Sequence, residues 1–306
     1  MKATYQPHAT YQPGDQAVPA SKPAVLSWDG NQADFRHRFD ESCFVFSHNL
    51  NGHPLFSIPA LVSLAKTVSQ RPGDFYSDAG DVRVDQKWGQ IPLTDLSPED
   101  VVARIEHAGA WIIMKHVETD PAYAVILNQC AEQIRDLAGP KMAPHLLNPE
   151  MLIIANSPGR VTPFHMDGEC NFLLQIQGSK MVRVFNKHDR SVLTEEEIER
   201  FYTTDIFAAN YKDGRCGDEK ATLVELTPGK AVHIPVNAPH WVKNGPGVSV
   251  SISVNFELPD WMRADLYRCN SLIRRLGITP TPPGRSRLRD AMKRKFYGQM
   301  RRFRSH

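Results

Sequence analysis

The chain has 306 residues, enough for one large domain or two modest ones, and its apolar fraction of 41% excludes a wholly disordered protein. No apolar run approaches the ~18 residues of a membrane span. The first 30 residues lack a signal-peptide core. We therefore expect a soluble, cytoplasmic protein that does not contact a membrane. The five cysteines are scattered without a CxxC pair, which argues against a disulfide framework or a zinc knuckle.

The net charge of +2 hides a strong asymmetry along the chain. Residues 259–306 contain 13 Lys and Arg against 3 Asp and Glu, whereas the preceding residues contain 23 against 31. A basic tail on an acidic body suggests docking onto that body, onto a partner or onto nucleic acid.

Composition and patterning divide the chain into four segments. Residues 1–34, rich in Pro, Gln, Ala and Ser, are predicted to form a flexible arm. Residues 35–149 are predicted to form a mixed, largely helical extension that packs on the core. Residues 150–258 form the predicted core, and residues 259–306 the basic C-terminal helices.

The extension contains three predicted helices and one buried strand. Apolar residues at helical spacing predict a helix over 59–70. Ser97 can cap a second helix that opens with Pro98, and Asp120-Pro121 opens a third that runs to about Leu137. The apolar run 110–114 is typical of a buried strand.

The predicted core is dominated by short strands separated by Gly- and Pro-containing turns. The strand-like runs are 151–156, 171–177, 180–186, 222–226, 231–234, 240–243 and 248–256. One helix interrupts them, from Thr194 to Phe201, with Thr194 and Glu197 as a capping box. Its acidic run, 195–197, is expected to face solvent. The pattern predicts a mainly β fold with helical additions, built on a double-sheet jelly roll.

Two helices are predicted in the basic tail, over 259–276 and 286–304. The second contains Phe296, Tyr297 and Phe303 among its basic residues, which suits packing as well as stacking on nucleic acid.

One short motif and a distant histidine carry the chemistry. His165 and Asp167 are two residues apart, so on a strand both side chains would point to the same face. His240 lies 73 residues after Asp167, on another predicted strand. Two imidazoles and one carboxylate on one side of a metal form the facial triad of non-haem Fe(II) oxygenases. The residues therefore predict a metal-dependent enzyme.

These segments resemble a known family. The motif VTPFHMD at 161–167, followed by Asn171-Phe172 and QIQGSK at 175–180, is similar to the jumonji-C, cupin-like family of Fe(II)- and 2-oxoglutarate-dependent oxygenases. Ile234-Pro235, His240 and Val254-Asn255-Phe256 match the second half of the family pattern. The resemblance covers residues 150–257, and it is closest to the asparaginyl hydroxylase that acts on hypoxia-inducible factor.

The resemblance implies a role for each matching residue. The metal ligands would be His165, Asp167 and His240, with Fe(II) as the metal. Lys180 would pair with the distal carboxylate of 2-oxoglutarate, Thr162 would hydrogen-bond that carboxylate, and Asn171 and Asn255 would line the co-substrate pocket. A buried dianion needs such a cation and donors, because unpaired burial is costly.

The implied activity is a dioxygenase that uses O2 and 2-oxoglutarate to hydroxylate a protein side chain or a small molecule, releasing succinate. An alternative is a non-catalytic, metal-binding cupin that acts as a regulator or nucleic-acid adaptor through its basic tail. A lysine demethylase is less supported, since the sequence has no zinc-binding Cys/His cluster. The resemblance also suggests a homodimer through the C-terminal helices, with apolar surface offered by Trp261, Leu266, Leu272 and Ile273.

Overall fold

The computed structural model describes residues 24–87, 90–259 and 261–304. Within these ranges, no helix combines the length and the apolar character that crossing a bilayer requires. Most of the predicted arm, residues 1–23, lies outside the described residues. Its described remainder forms a short strand and the beginning of a helix, and Leu26 on that strand is buried.

The described residues form twelve β-strands and seven α-helices. The strands are β1 (Leu26–Ser27), β2 (Phe44–His48), β3 (Phe75–Ala79), β4 (Ala110–Met114), β5 (Leu147–Asn156), β6 (Val161–His165), β7 (Cys170–Gln177), β8 (Lys180–Phe185), β9 (Ala221–Leu226), β10 (Lys230–Ile234), β11 (His240–Asn244) and β12 (Ser249–Glu257). The helices are α1 (Gln32–Arg38), α2 (Ile58–Val68), α3 (Pro98–Ala103), α4 (Pro121–Ala138), α5 (Glu195–Phe201), α6 (Trp261–Arg275) and α7 (Arg287–Arg304). Every helix and strand given a range above is confirmed within a few residues at its ends, whereas helix α1 and strands β1, β2 and β3 were not predicted and β6 had no predicted range.

The strands form two antiparallel sheets. The larger has the order β1-β2-β10-β7-β12-β5-β4-β3 and the smaller has the order β6-β11-β8-β9. From β5 to β12 the chain passes back and forth between the two sheets, and only β8 and β9 follow one another in the same sheet. This is the double-stranded β-helix, or jelly roll, and it confirms the predicted fold class.

Strands from the predicted extension lengthen the larger sheet on both sides. β2 pairs with β10, and β4 pairs with β5. The residues before 150 therefore continue the hydrogen-bonded sheet of the core in addition to packing helices on it. The division of the chain at 149/150 and 258/259 stays a prediction.

The two faces of the larger sheet have different partners. On β12, Val250, Ile252 and Val254 belong to the apolar core that also contains residues of α2 and α4. The intervening Ser251 and Ser253 point to the opposite face, toward the smaller sheet, because side chains alternate along a strand. Strand β12 thus has an apolar face that the helices cover and a polar face that lies inside the barrel.

Two expectations about surface residues were wrong. The acidic start of α5 is not entirely solvated, because Glu197 is buried and accepts hydrogen bonds from Arg215 Nη2 at 2.7 and 2.8 Å. Leu266, expected to offer apolar surface for a partner, is also buried, at 5% exposure. In both cases a neighbouring segment buries a helix residue that the sequence pattern alone predicts to be exposed.

The turn between β7 and β8 requires glycine. Gly178 has a φ of +69°, and a Cβ atom there would overlap the carbonyl oxygen of Val248. Gly178→Ala should therefore lower the free energy of unfolding by about 3 kcal/mol, from backbone strain and the clash together. Urea denaturation measures this loss.

Gly52→Ala is the matched control, since Gly52 has a φ of +72° and no atom within 4 Å of an added Cβ. It should cost only about 1 kcal/mol, the price of the left-handed conformation alone. Equal losses in the two variants would contradict the clash at Gly178.

Candidate metal centre and adjoining cavities

Two histidines meet across the smaller sheet. His165 is the last residue of β6 and His240 is the first residue of β11, and the two are paired in the ladder between these strands. Their ring centroids lie 4.1 Å apart. Asp167 follows the end of β6, and one ligand atom from each of the three residues lies within 4.8 Å of the others. The convergence expected from the motif is present, although Asp167 lies beyond the strand rather than on it.

The hydrogen bonds of the two imidazoles define the role of each Nδ1 atom. His165 Nδ1 donates to the carbonyl oxygen of Pro163 at 2.7 Å, and His240 Nδ1 donates to that of Ala238 at 3.0 Å. Since a carbonyl oxygen only accepts, both Nδ1 atoms carry the proton. The Nε2 atoms of His165 and His240 face Asp167 and lie 3.8 and 3.6 Å from its carboxylate oxygens.

Burial keeps His240 neutral. Desolvation, and then the neighbouring His165, lower the pKa of His240 to about 4, against the opposing effect of Asp167. The Asp167 side chain is 34% exposed and opens toward solvent. Two imidazoles beside an accessible carboxylate suit a divalent first-row transition metal, so the donor set fits the facial triad.

A β-bulge aligns a further predicted residue with the triad. His240 is opposite His165, and Val242 is opposite Thr162, so two steps along β11 match three along β6. In a regular strand Thr162 and His165 would point to opposite faces, but the extra residue turns both toward the barrel interior.

A cavity of about 240 Å³ connects the triad to the predicted co-substrate residues. The cavity is lined by His165, Asp167, His240, Thr162, Asn171, Lys180 and Asn255, together with apolar side chains such as Leu173 and Ile234. All seven residues singled out from the sequence therefore border one space inside the barrel. Their individual roles stay predictions.

Lys180 is a buried cation without a carboxylate partner among the described residues. It begins β8, opposite Asn244 of β11, and is only 4% exposed. Desolvation lowers the pKa of its ammonium group to about 7. Burying an unpaired charge is costly, so this arrangement favours an anionic ligand in the cavity.

A polar network covers the opposite wall. Asn171 Nδ2 donates to Ser253 Oγ at 2.6 Å, and Ser253 Oγ donates to Asn255 Oδ1 at 2.8 Å. Asn171 Oδ1 is buried and has no hydrogen-bond partner among the described residues. Ser253 was missed in the sequence, although its place on the polar face of β12, two residues before Asn255, was a usable signal.

A second, open cleft of about 790 Å³ lies on the other side of the triad. His165 and Asp167 border both spaces, as do Lys115 and Glu169. The far wall of the cleft is the segment 201–207, which follows α5. The triad thus stands between a small polar cavity and an open cleft.

The loop that contains Asp167 is held by a residue that the sequence analysis missed. The backbone N–H of Asn237 donates to the carbonyl oxygen of Asp167 at 2.9 Å. Asn237 has a φ of +59°, a conformation that Asn tolerates better than most residues. The sequence feature that could have indicated this role is the position of Asn237 between Pro235 and Pro239, in the turn before His240.

Comparison with known proteins supports the fold. No protein-family model matches the chain. The structure of YcfD, a ribosomal oxygenase from Escherichia coli, in complex with cobalt and 2-oxoglutarate has a TM-score of 0.51 and 18% sequence identity, over 90% of this chain and 67% of that chain. An X-ray structure of E. coli YcfD matches with the same TM-score and identity, over 90% and 68%. The likeness is one of fold, a mainly β structure with a jelly-roll core.

Lys180→Met should stabilise the ligand-free protein. The pKa of Lys180 is about 7 in the folded chain and 10.5 as the reference value, so the unfolded state binds the proton more tightly. The loss of stability from burying the charged Lys180 ammonium is fully present below about pH 7, and it decreases as the pH rises toward 10. We expect Lys180→Met to gain on the order of 2 kcal/mol at pH 7.

Urea denaturation of both proteins at pH 7 and pH 9.5 measures the effect. The advantage of the variant should shrink at the higher pH. An advantage that is absent at pH 7, or that grows with pH, would contradict an unpaired buried ammonium.

Proposed function

We propose that this chain is an Fe(II)- and 2-oxoglutarate-dependent dioxygenase of the jumonji-C, cupin-like type, which hydroxylates a protein side chain or a small molecule. The observation that carries the proposal is the shared cavity: a facial triad borders one part of it, and the buried, unpaired Lys180 borders another. The fold match to a YcfD structure that contains cobalt and 2-oxoglutarate supports the same conclusion.

The triad would hold the metal. His165 and His240 would each coordinate through Nε2, because each Nδ1 donates to a backbone carbonyl oxygen, and Asp167 would contribute its carboxylate. Three protein ligands on one side leave the remaining coordination positions to the co-substrate and O2. When bound, Fe(II), 2-oxoglutarate and O2 would together supply the oxidant, as 2-oxoglutarate is decarboxylated to succinate and CO2.

The rest of the cavity would bind the co-substrate. The Lys180 ammonium would pair with the distal carboxylate of 2-oxoglutarate, which would restore its pKa toward that of an ordinary lysine. The Thr162 hydroxyl would donate to the same carboxylate, and the amides of Asn171 and Asn255 would line the chain between the two ends. The apolar side chains around them keep water from the dianion and strengthen these interactions.

The open cleft would admit the substrate. It reaches His165 and Asp167 from the side opposite Lys180, so a substrate there would approach the metal without crossing the co-substrate pocket. Its size suits either a small molecule or a side chain on a polypeptide. The particular likeness to the asparaginyl hydroxylase of hypoxia-inducible factor stays a prediction.

The test is succinate release by the purified chain with Fe(II) and 2-oxoglutarate. Asp167→Ala should reduce it to background, because a ligand is lost, with little change in unfolding. Asp34→Ala is the control: it removes a half-exposed carboxylate that pairs with Arg38 on α1, outside both cavities. Lys180→Met should raise the 2-oxoglutarate concentration needed for half-maximal release about tenfold or more.

Undiminished succinate release by Asp167→Ala would overturn the proposed metal centre. Absence of release by the native chain, together with salt-dependent nucleic-acid binding that is lost on removal of residues 285–306, would favour the non-catalytic adaptor.

We infer that the chain forms a homodimer through its C-terminal helices. Leu288, Met292 and Phe296 are spaced four residues apart on α7, and each is more than half exposed. An apolar stripe of this kind on a basic helix favours a protein partner over solvent. Light scattering of the full chain should give twice the mass of one chain, and Met292→Glu should give the monomer mass. A monomeric native chain would contradict the inference.

A further inference from the structure

The third ligand of the triad is not held by the sheet. His165 and His240 lie on paired strands, whereas β6 ends at His165 and Asp167 belongs to the turn that follows. A carboxylate that binds a metal must be held close to its productive position, so another part of the fold has to position this turn.

Asn237 makes that contact. Its backbone N–H donates to the Asp167 carbonyl oxygen at 2.9 Å, and its side-chain Nδ2 donates to the same oxygen at 3.3 Å. Asn237 is 5% exposed, so these hydrogen bonds are shielded from water. The turn that leads into β11 and His240 is thereby hydrogen-bonded to the turn after β6, which contains Asp167.

Tyr202 holds the Asn237 side chain in the orientation that this contact requires. The Tyr202 hydroxyl donates to Asn237 Oδ1 at 2.6 Å, which leaves Nδ2 directed at Asp167. The Tyr202 ring stacks on the ring of Tyr267 in α6, with centroids 5.8 Å apart and planes 9° apart. The backbone carbonyl oxygen of Tyr202 accepts a hydrogen bond from Arg268 Nε at 3.1 Å. Tyr202 also lines the open cleft.

The same turn is anchored from its other side. The backbone N–H of Val236 donates to Asp40 Oδ1 at 2.8 Å, and Asp40 Oδ2 lies 3.1 Å from Lys187 Nζ. Lys187 is 4% exposed. Asn237 is therefore attached to a rigid base, and its side chain transmits that rigidity to Asp167.

We propose that Asn237 is a positioning residue for Asp167, and that Tyr202, on the wall of the open cleft, sets the orientation of Asn237. The proposal rests on the proposed function, because it takes Asp167 to be a metal ligand. Tyr202 on the cleft wall would thus be connected to the metal ligand Asp167 by hydrogen bonds through the side chain of Asn237.

The first test is Asn237→Gly, which keeps the left-handed backbone and its N–H but removes the side chain. Cobalt(II), titrated into the full-length protein and followed by visible absorption, should bind roughly tenfold more weakly than to the native chain. The absorption bands should also shift, because they report the geometry of the ligands.

Asn148→Gly is the matched control. Asn148 also has a positive φ, of +45°, and its side chain donates to Glu257 at 2.9 Å, but it contacts no residue of the triad. It should leave the cobalt affinity and spectrum unchanged.

The second test is Tyr202→Phe, which removes only the hydroxyl group. Loss of the hydrogen bond to Asn237 should weaken cobalt binding about 3- to 10-fold. Tyr123→Phe is the control, since Tyr123 likewise donates a hydrogen bond, to the Leu55 carbonyl oxygen at 2.7 Å, on the far side of the larger sheet. It should lower thermal stability without changing the cobalt affinity.

The outcomes separate this proposal from the one on which it rests. Native-chain cobalt binding that Asp167→Ala abolishes upholds the metal centre, whatever the other variants do. If Asn237→Gly and Tyr202→Phe then bind cobalt as tightly as the native chain and with the same spectrum, Asn237 does not position Asp167. If they weaken binding while both controls do not, the positioning role holds.

Discussion

The pairing of β11 with β6 on one side and β8 on the other is the constraint on which the rest of the site depends. Through this ladder His240 lies beside His165, and Lys180 lies opposite Asn244 at the far end of the same strand. The bulge in the β6 ladder turns Thr162 inward together with His165. One central strand thus fixes the spacing between the two histidines of the triad and the buried Lys180.

The polar groups inside the barrel lower the stability of the folded chain. The barrel walls include an unpaired ammonium at Lys180, a buried amide oxygen at Asn171 and the polar face of β12, in positions where apolar side chains would pack without cost. The apolar core between the larger sheet and its helices, which includes Ile252 and Val254, compensates for that cost. The fold therefore separates the face of the larger sheet that stabilises it from the face that lines the cavity.

The triad has an uneven structural basis. Two ligands lie on strands, where the ladder and the carbonyl bonds to Nδ1 hold each ring, while Asp167 lies in a turn and is held through Asn237. The more exposed ligand is thus also the one that borders the open cleft and is tied to its wall through Tyr202. The position of the carboxylate thus depends on a contact between two turns, whereas the positions of the two imidazoles depend on the strand ladder.

The sequence by itself determined the strand periodicity, most helix ends and the set of candidate metal ligands, because alternation, capping residues and ligand chemistry are local properties. Ser97 and Thr194 predicted their helices correctly for this reason. Only the tertiary structure decided that Thr162 and His165, three residues apart, share a face, that Lys180 has no carboxylate partner among the described residues, and that Asn237 holds Asp167. Each of these depends on which strand or turn lies alongside another, and contacts between residues so far apart in the chain leave no trace in local pattern.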